Sequence, residues 1–305
     1  MFPGFTPFTV QTETQPEAVS IFGLQSAPSP TPLPPLLLLH GFPQNHRIWS
    51  RVAPLLAGRF HLVLIDLRGY GGSSKPASVA AYAKSAMARD CIAVMDALGH
   101  AGRRFFVCAH DRGARVAHKL CVDHPARIAS TILLDICPTL AMYGQTNLQF
   151  ATAYFHWFFL IQDAPFPETL IAARPREFAR LFMGARQAEG VTIFDEPAFE
   201  SYVAALGDEA AVHGMCQDYR ASASLDLDEA REDLAQGRLI KCPLRVFWSE
   251  RGVIEKCFDA IKEWKAVAEK DVLVEGHSVD SGHYIPEQLP EVVASKVIAF
   301  FSESN

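Results

Sequence analysis

The sequence lacks the marks of several protein classes. Its seven cysteines are odd in number and scattered, and no two stand as CxxC. That spacing speaks against a disulfide framework and reads as reduced, mostly buried thiols of a cytoplasmic protein. No apolar run approaches the length of a membrane span, and Pro34–Leu39 is long enough only for a buried strand. The N-terminus has no basic segment followed by an apolar one, so no signal peptide is expected. The formal net charge is only −6, which gives no reason to expect nucleic acid or an anionic membrane as partner. Internal repeats are absent. What remains is a chain of 305 residues, 49% hydrophobic and 20% charged, with room for one large α/β domain and an insertion.

Strand and helix signals alternate through the first half. Phe8–Glu13 and Ala18–Leu24 alternate apolar residues and read as opening strands, and Gln25–Pro35 reads as a Pro- and Ser-rich loop. Pro35–Leu39 and Phe60–Asp66 are apolar runs of the kind found in central parallel strands. Helices are expected at Ile48–Leu56, Val79–Leu98 and Ala114–His124, and further strands at Arg104–Ala109 and Ile128–Ile136. After Pro138 the pattern breaks. Residues 142–225 are aromatic and helical, and the segment Asn147–Leu160 is apolar on nearly all sides, so it needs cover on more than one face. Strand and helix signals return with Leu244–Trp248, a helix near Phe258–Glu269, a strand near Val272–Glu275 and a last helix from Glu287 to Phe301. The expected architecture is a doubly wound, mostly parallel α/β sheet with its site at the carboxyl ends of the strands. The expected division is a core of residues 1–140, a helical cap of residues 141–226 and a core completed by residues 227–305.

The chemistry starts at Ala109-His110-Asp111-Arg112-Gly113, a small-x-Asp-x-Gly turn between a strand and a helix. This is the shape of a nucleophile elbow with Asp111 in place of a serine. A serine displacing a leaving group from saturated carbon leaves an ether. A carboxylate leaves an alkyl ester, which water can cleave at the carboxyl carbon. An Asp elbow therefore points to carbon–halogen or epoxide chemistry, against the plainer reading of Asp111 as a helix cap. Cys108 is the weaker candidate nucleophile, because its place in the strand points it into the core.

The ester needs an activated water. His283, beside Gly282 and between the last strand and the last helix, stands where the general base of this order belongs. His277 competes but lies nearer the strand. His40 and His110 read as structural residues, and the remaining histidines as surface or packing residues. For the acid that orients His283, Asp135 follows one strand, while Gly252 stands where the other strand would place an Asp; Glu250 is the reserve. Backbone N–H groups of Phe42, after His40-Gly41, and of Arg112 are the expected oxyanion donors. Arg112 and Arg115 suit a substrate carboxylate, or else pair with acids such as Asp66 or Asp123. His156, Trp157 and Tyr219 carry donors suited to a leaving halide, or are ordinary core aromatics.

Together, His40-Gly41-Phe42-Pro43-Gln44, Asp66-Leu67-Arg68-Gly69-Tyr70-Gly71, His110-Asp111-Arg112-Gly113-Ala114-Arg115, His156-Trp157, Asp218-Tyr219-Arg220 and Gly282-His283 resemble the fluoroacetate dehalogenases of the α/β-hydrolase fold over nearly the whole chain. The resemblance implies that Asp111 attacks the halogen-bearing carbon and that Arg112 and Arg115 hold the substrate carboxylate. It implies that His156, Trp157 and Tyr219 stabilise the halide, and that His283 with Asp135 activates water. It implies a small halogenated carboxylic acid as partner, no metal or organic cofactor, and a homodimer. One departure stands out. The family's cap carries a further Trp, whereas no Trp lies between Trp157 and Trp248 and the stretch reads Leu181-Phe182-Met183-Gly184-Ala185-Arg186. A wider or differently shaped pocket is expected. The rival readings are an epoxide hydrolase with Tyr154 and Tyr219 on the epoxide oxygen, a chloroacetate-preferring dehalogenase, and a non-catalytic receptor for a small carboxylate.

Overall fold

The computed structural model describes residues 2–29, 31–185 and 189–303. Among the described residues eight strands form one sheet: β1 Phe5–Glu13, β2 Val19–Ser26, β3 Pro35–Leu39, β4 His61–Ile65, β5 Phe105–His110, β6 Ile128–Leu134, β7 Leu244–Ser249 and β8 Val274–Val279. Their order across the sheet is β1-β2-β4-β3-β5-β6-β7-β8. β1 and β2 run antiparallel at one edge, β2 meets β4 antiparallel, and every later pairing is parallel. The apolar runs are continuous because both faces of the central strands are covered. Leu37, Leu39, Val63, Ile65, Val107 and Ala109 join one hydrophobic cluster. Their neighbours Leu36, Leu38, Leu62, Leu64, Phe106 and Cys108 join the other.

Helices α1 Ala53–Leu56, α2 Lys84–Met95 and α3 Asp111–Asp123 connect the first strands. Among the described residues between β6 and β7 the regular elements are helical, the α-helices being α4 Thr139–Gly144, α5 Leu148–Ala153, α6 Phe155–Leu160, α7 Phe166–Ala173, α8 Pro175–Gly184, α9 Glu196–Leu206, α10 Glu209–Ser222 and α11 Leu225–Ala235. After β7 come α12 Val253–Cys257 and α13 Ala260–Lys265, and after β8 come α14 Ile285–Gln288 and α15 Pro290–Glu303. α10 closes on the core at the loop after β4, where Gly214 and Gly69 touch: a Cβ on Gly214 would lie 2.9 Å from the Gly69 Cα.

Several elements differ from their sequence-based bounds. The long helix expected at 79–98 begins as a 3-10 turn, Val79–Tyr82, and is helical from Lys84. The apolar segment 147–160 is broken at Tyr154, whose backbone sits at φ −109°, ψ 36°. This break separates α5 from α6 and turns His156 and Trp157 inward while Leu148 and Phe155 stay exposed. The segment is thus covered less completely than its composition suggests. The last helix is likewise two, because Pro290 opens α15 after a non-helical Leu289. The strand expected at 272–275 starts later, at Val274.

Candidate active site

β5 ends at His110 and the chain turns at once into α3. Asp111 takes the left-handed backbone conformation, φ 47°, which a residue with a side chain adopts only where its surroundings hold it there. Gly113 makes the turn possible: a Cβ there would meet the His40 carbonyl oxygen at 2.4 Å. Gly41 does the same from the β3 side, since its added Cβ would meet the Asp111 Cβ at 2.5 Å. The loop after β3 therefore lies directly over Asp111, and the Phe42 backbone N–H donates to Asp111 Oδ1 at 2.9 Å.

Asp135 follows β6 and is the other non-glycine residue of the described chain with positive φ, at 54°. One of its oxygens accepts the Ser249 backbone N–H at 2.9 Å, which ties it to the end of β7. The other lies 2.6 Å from Nδ1 of His283. His283 Nε2 then faces Asp111 Oδ2 at 3.9 Å and has no hydrogen-bond partner. With Nδ1 donating to Asp135, Nε2 carries the free lone pair and can accept a proton. His277 instead lies at the exposed surface, with Nε2 2.8 Å from Lys296 Nζ. Glu250 is exposed.

His40 and His110 hold backbone. His40 Nε2 accepts the Leu67 N–H at 3.0 Å, which leaves Nδ1 to donate to the Gly41 carbonyl. His110 Nε2 donates to the His283 carbonyl at 2.8 Å. Burial, followed by the charge of His283, lowers the His110 pKa to about 4. Burial lowers that of His40 as well. Both are neutral at ordinary pH and can keep these roles. Burial also works against ionisation of Asp111, but His283, His110, Arg112 and Arg115 together outweigh it and bring its pKa down to about 2. Asp111 is a carboxylate at neutral pH. Cys108 is fully buried and burial pushes its thiol far up, so it is no nucleophile.

The two arginines flank Asp111 on α3 and are buried. Neither pairs with Asp66 or Asp123. Asp66 accepts from the His46 backbone and ring, and Asp123 pairs with Lys119. Arg112 binds Asp218 on α10 through Nε and Nη2, both at 2.8 Å, and Nη2 also donates to Ser222 Oγ at 2.6 Å. Arg115 donates to Thr139 Oγ1 at 2.8 Å, and its guanidinium lies 4.6 Å from the Trp157 ring centre. Each arginine retains one buried nitrogen with no partner: Nη1 of Arg112 and Nε of Arg115. Burial, then repulsion from Arg112, lowers the Arg115 pKa.

The cap supplies the roof. His156, Trp157 and Tyr219 are all buried. The Arg112 guanidinium sits 4.2 Å from the Tyr219 ring centre, and Trp157 Nε1 has no partner. Phe182 packs edge-on against His156 at 5.0 Å and against Phe42 at 5.5 Å. The wall is aromatic without a Trp. Sequence reasoning assigned no role to Phe182, nor to the residues behind Arg112. Asp218 is also bonded by Tyr70 Oη at 2.7 Å and Lys84 Nζ at 2.5 Å. Lys84 contacts Asp226 at 3.3 Å. The signal for Asp218 was its place in the Asp218-Tyr219-Arg220 run; for Lys84 there was none. Among the described residues no group of three or more His, Cys, Asp or Glu side chains is placed to hold a metal ion.

This sheet order, with an Asp elbow after β5, an acid after β6, a His after β8 and a helical insertion between β6 and β7, defines the class. A family model described as alpha/beta hydrolase fold matches residues 34–209, and the chain belongs to the α/β-hydrolase family. Within it the chain is 40% identical over 275 residues to fluoroacetate dehalogenase from Burkholderia sp, covering 89% of this chain and 88% of that one. It is also 29% identical over 272 residues to soluble epoxide hydrolase from Corynebacterium sp. (strain C12), covering 88% and 90%. Among solved structures, ALR0039 from Nostoc sp PCC 7120 superposes with a TM-score of 0.90 at 41% identity, covering 99% of each chain. No described helix is long and apolar enough to cross a membrane.

Proposed function

We propose that the protein is a hydrolytic dehalogenase of haloacetates, with fluoroacetate as substrate and glycolate and fluoride as products. One observation carries the reading: beside the ionised Asp111, Arg112 and Arg115 each keep one unpartnered, buried N–H bearing nitrogen. Two such donors on residues close enough to lower the pKa of the nucleophile suit a carboxylate one carbon away from the reacting centre. A neutral epoxide would leave both without a partner.

In this scheme the substrate carboxylate bridges Arg112 Nη1 and Arg115 Nε. Asp111 Oδ2 displaces halide from the adjacent carbon, forming one C–O bond as the carbon–halogen bond breaks. Fluoride holds its charge tightly and leaves only with strong solvation. The N–H of Trp157, the ring N–H of His156 and the hydroxyl of Tyr219, all on buried side chains, supply it. His283 Nε2 then takes a proton from water, Asp135 balances the imidazolium, and hydroxide adds to the Asp111 carboxyl carbon. The backbone N–H groups of Phe42 and Arg112 hold the oxyanion. On collapse the imidazolium returns its proton to the leaving oxygen of glycolate, and the Asp111 carboxyl sheds the proton of the added hydroxide to solvent, which restores neutral His283 and the Asp111 carboxylate.

The 40% identity to a fluoroacetate dehalogenase supports this reading over the epoxide reading. The test is free halide from purified protein with fluoroacetate, chloroacetate and styrene oxide in parallel. Fluoride release with the epoxide untouched is expected. Chloride without fluoride would restrict the activity to the weaker bond, and epoxide opening alone would overturn the reading. Asp111→Asn is expected to lower halide release by at least about a thousandfold, since an amide does not attack saturated carbon.

A further inference from the structure

Asp111, Arg112 and Arg115 are buried, yet a haloacetate must reach them as an anion, and glycolate and halide must leave as anions. A cavity of about 260 Å³ reaches His283 and Asp135 from the surface. On its cap side lie Gln149 and Tyr154, and on its core side Arg251 and Lys256. Both basic residues are exposed. Arg251 is also fixed to the segment that carries the base: its Nε donates to the Ser281 carbonyl at 3.3 Å, two residues before His283.

The surrounding acids do not cancel this pair within the cavity. Asp280 contacts Arg251 Nη2 at 3.4 Å but is itself mostly exposed and does not line the cavity. Glu255 accepts the Trp248 indole N–H, and Glu250 points to solvent; neither lines the cavity. Among the described residues the walls therefore carry two cations and one carboxylate, Asp135, which is taken up by His283 and the Ser249 N–H. A cleft with low-dielectric walls and one sign of charge concentrates counter-ions at its mouth.

We infer that this cleft is the passage for anionic substrate and products, and that Arg251 and Lys256 form a capture site at its rim for small carboxylates. The inference rests on the haloacetate reading of the site. Neither residue touches the reacting atoms; both act on the local concentration of the anion. Exposed charges are screened within about 10 Å at 0.1 M salt, whereas Arg112 and Arg115 are buried and far less screened. The capture site should therefore account for the salt sensitivity of KM.

The test is steady-state kinetics of fluoroacetate at low and at high ionic strength for the wild type, Arg251→Gln, Lys256→Gln, the double variant and Arg251→Lys. The double variant is expected to raise KM about 3- to 10-fold at low salt with kcat unchanged, and to lose most of the salt dependence. Lys256→Gln alone should give part of the effect, and Arg251→Lys, which keeps the charge, should give little. If the double variant keeps the wild-type KM and salt dependence, the inference is overturned. It is equally overturned if only Arg251 variants matter and they lower kcat, because Arg251 would then act by holding the Ser281 segment. Absence of halide release by the wild type would instead count against the proposed function.

Discussion

Arg112 meets Asp218 with two of its three nitrogens and leaves the third to the site. The pair is fully buried, and Asp218 also receives Lys84 and Tyr70. Burial opposes its charge, but Arg112 and then Lys84 hold the Asp218 carboxyl far below the usual carboxylate range. Asp218 thus fixes the plane in which the free nitrogen of Arg112 is presented. Asp218→Asn would leave two buried cations poorly compensated. It is expected to cost about 3–5 kcal/mol of stability, because removing one partner strands a buried charge. It should also raise KM for haloacetates. Chemical denaturation and steady-state kinetics on the same preparation check both outcomes.

The depressed pKa of Asp111 carries a pH prediction. A carboxyl whose folded pKa lies below its unfolded value contributes stability that is present above the unfolded value and is lost as pH falls through the folded one. With a folded pKa of about 2 against an ordinary 3.8, that loss is confined to strong acid. The alkylation step should therefore not lose its nucleophile in mild acid. In the wild type, where His283 is in place, burst-phase halide release is expected to stay flat between about pH 7 and about pH 4. A decline centred on an ordinary carboxyl pKa would show that the surrounding cations do not depress Asp111.

Trp157 presents a buried indole N–H with no hydrogen-bond partner. Trp157→Phe keeps a ring over Arg115 but removes the donor. Loss of one oriented donor at a site of developing charge typically costs on the order of 10²-fold. The loss should be larger for fluoroacetate than for chloroacetate, because chloride spreads its charge and leaves more readily. Equal losses for the two substrates would assign Trp157 to packing alone.

Much of this arrangement was legible in the sequence because the features involved are local. The elbow is five consecutive residues, and a glycine at 113 is required by a backbone contact that any Cβ would violate. Apolar runs such as Pro35–Leu39 show burial on both faces directly. Asp135 and His283 each follow a strand, so strand order alone brings them to one edge. What stayed hidden is what depends on long-range packing. Lys84 and Asp218 are far apart in sequence, and only the closure of α10 over the core brings them to one network. Phe182 could not be read as a pocket wall, because aromatic residues are frequent throughout the cap and nothing in the spacing marks one of them. The break at Tyr154, which aims His156 and Trp157, has neither glycine nor proline to announce it.

The central claim is that a carboxylate, Asp111, becomes alkylated by the substrate. His283→Asn treated with fluoroacetate, digested and analysed by peptide mass spectrometry tests it most directly. The account predicts one carboxymethyl group on the peptide containing Asp111, fluoride released in equal amount to enzyme, and no further turnover. The same treatment of an Asp111→Asn, His283→Asn double variant should leave the peptide unmodified. Fluoride release by the single variant with no added mass at Asp111, or with the mass on another residue, would contradict the account.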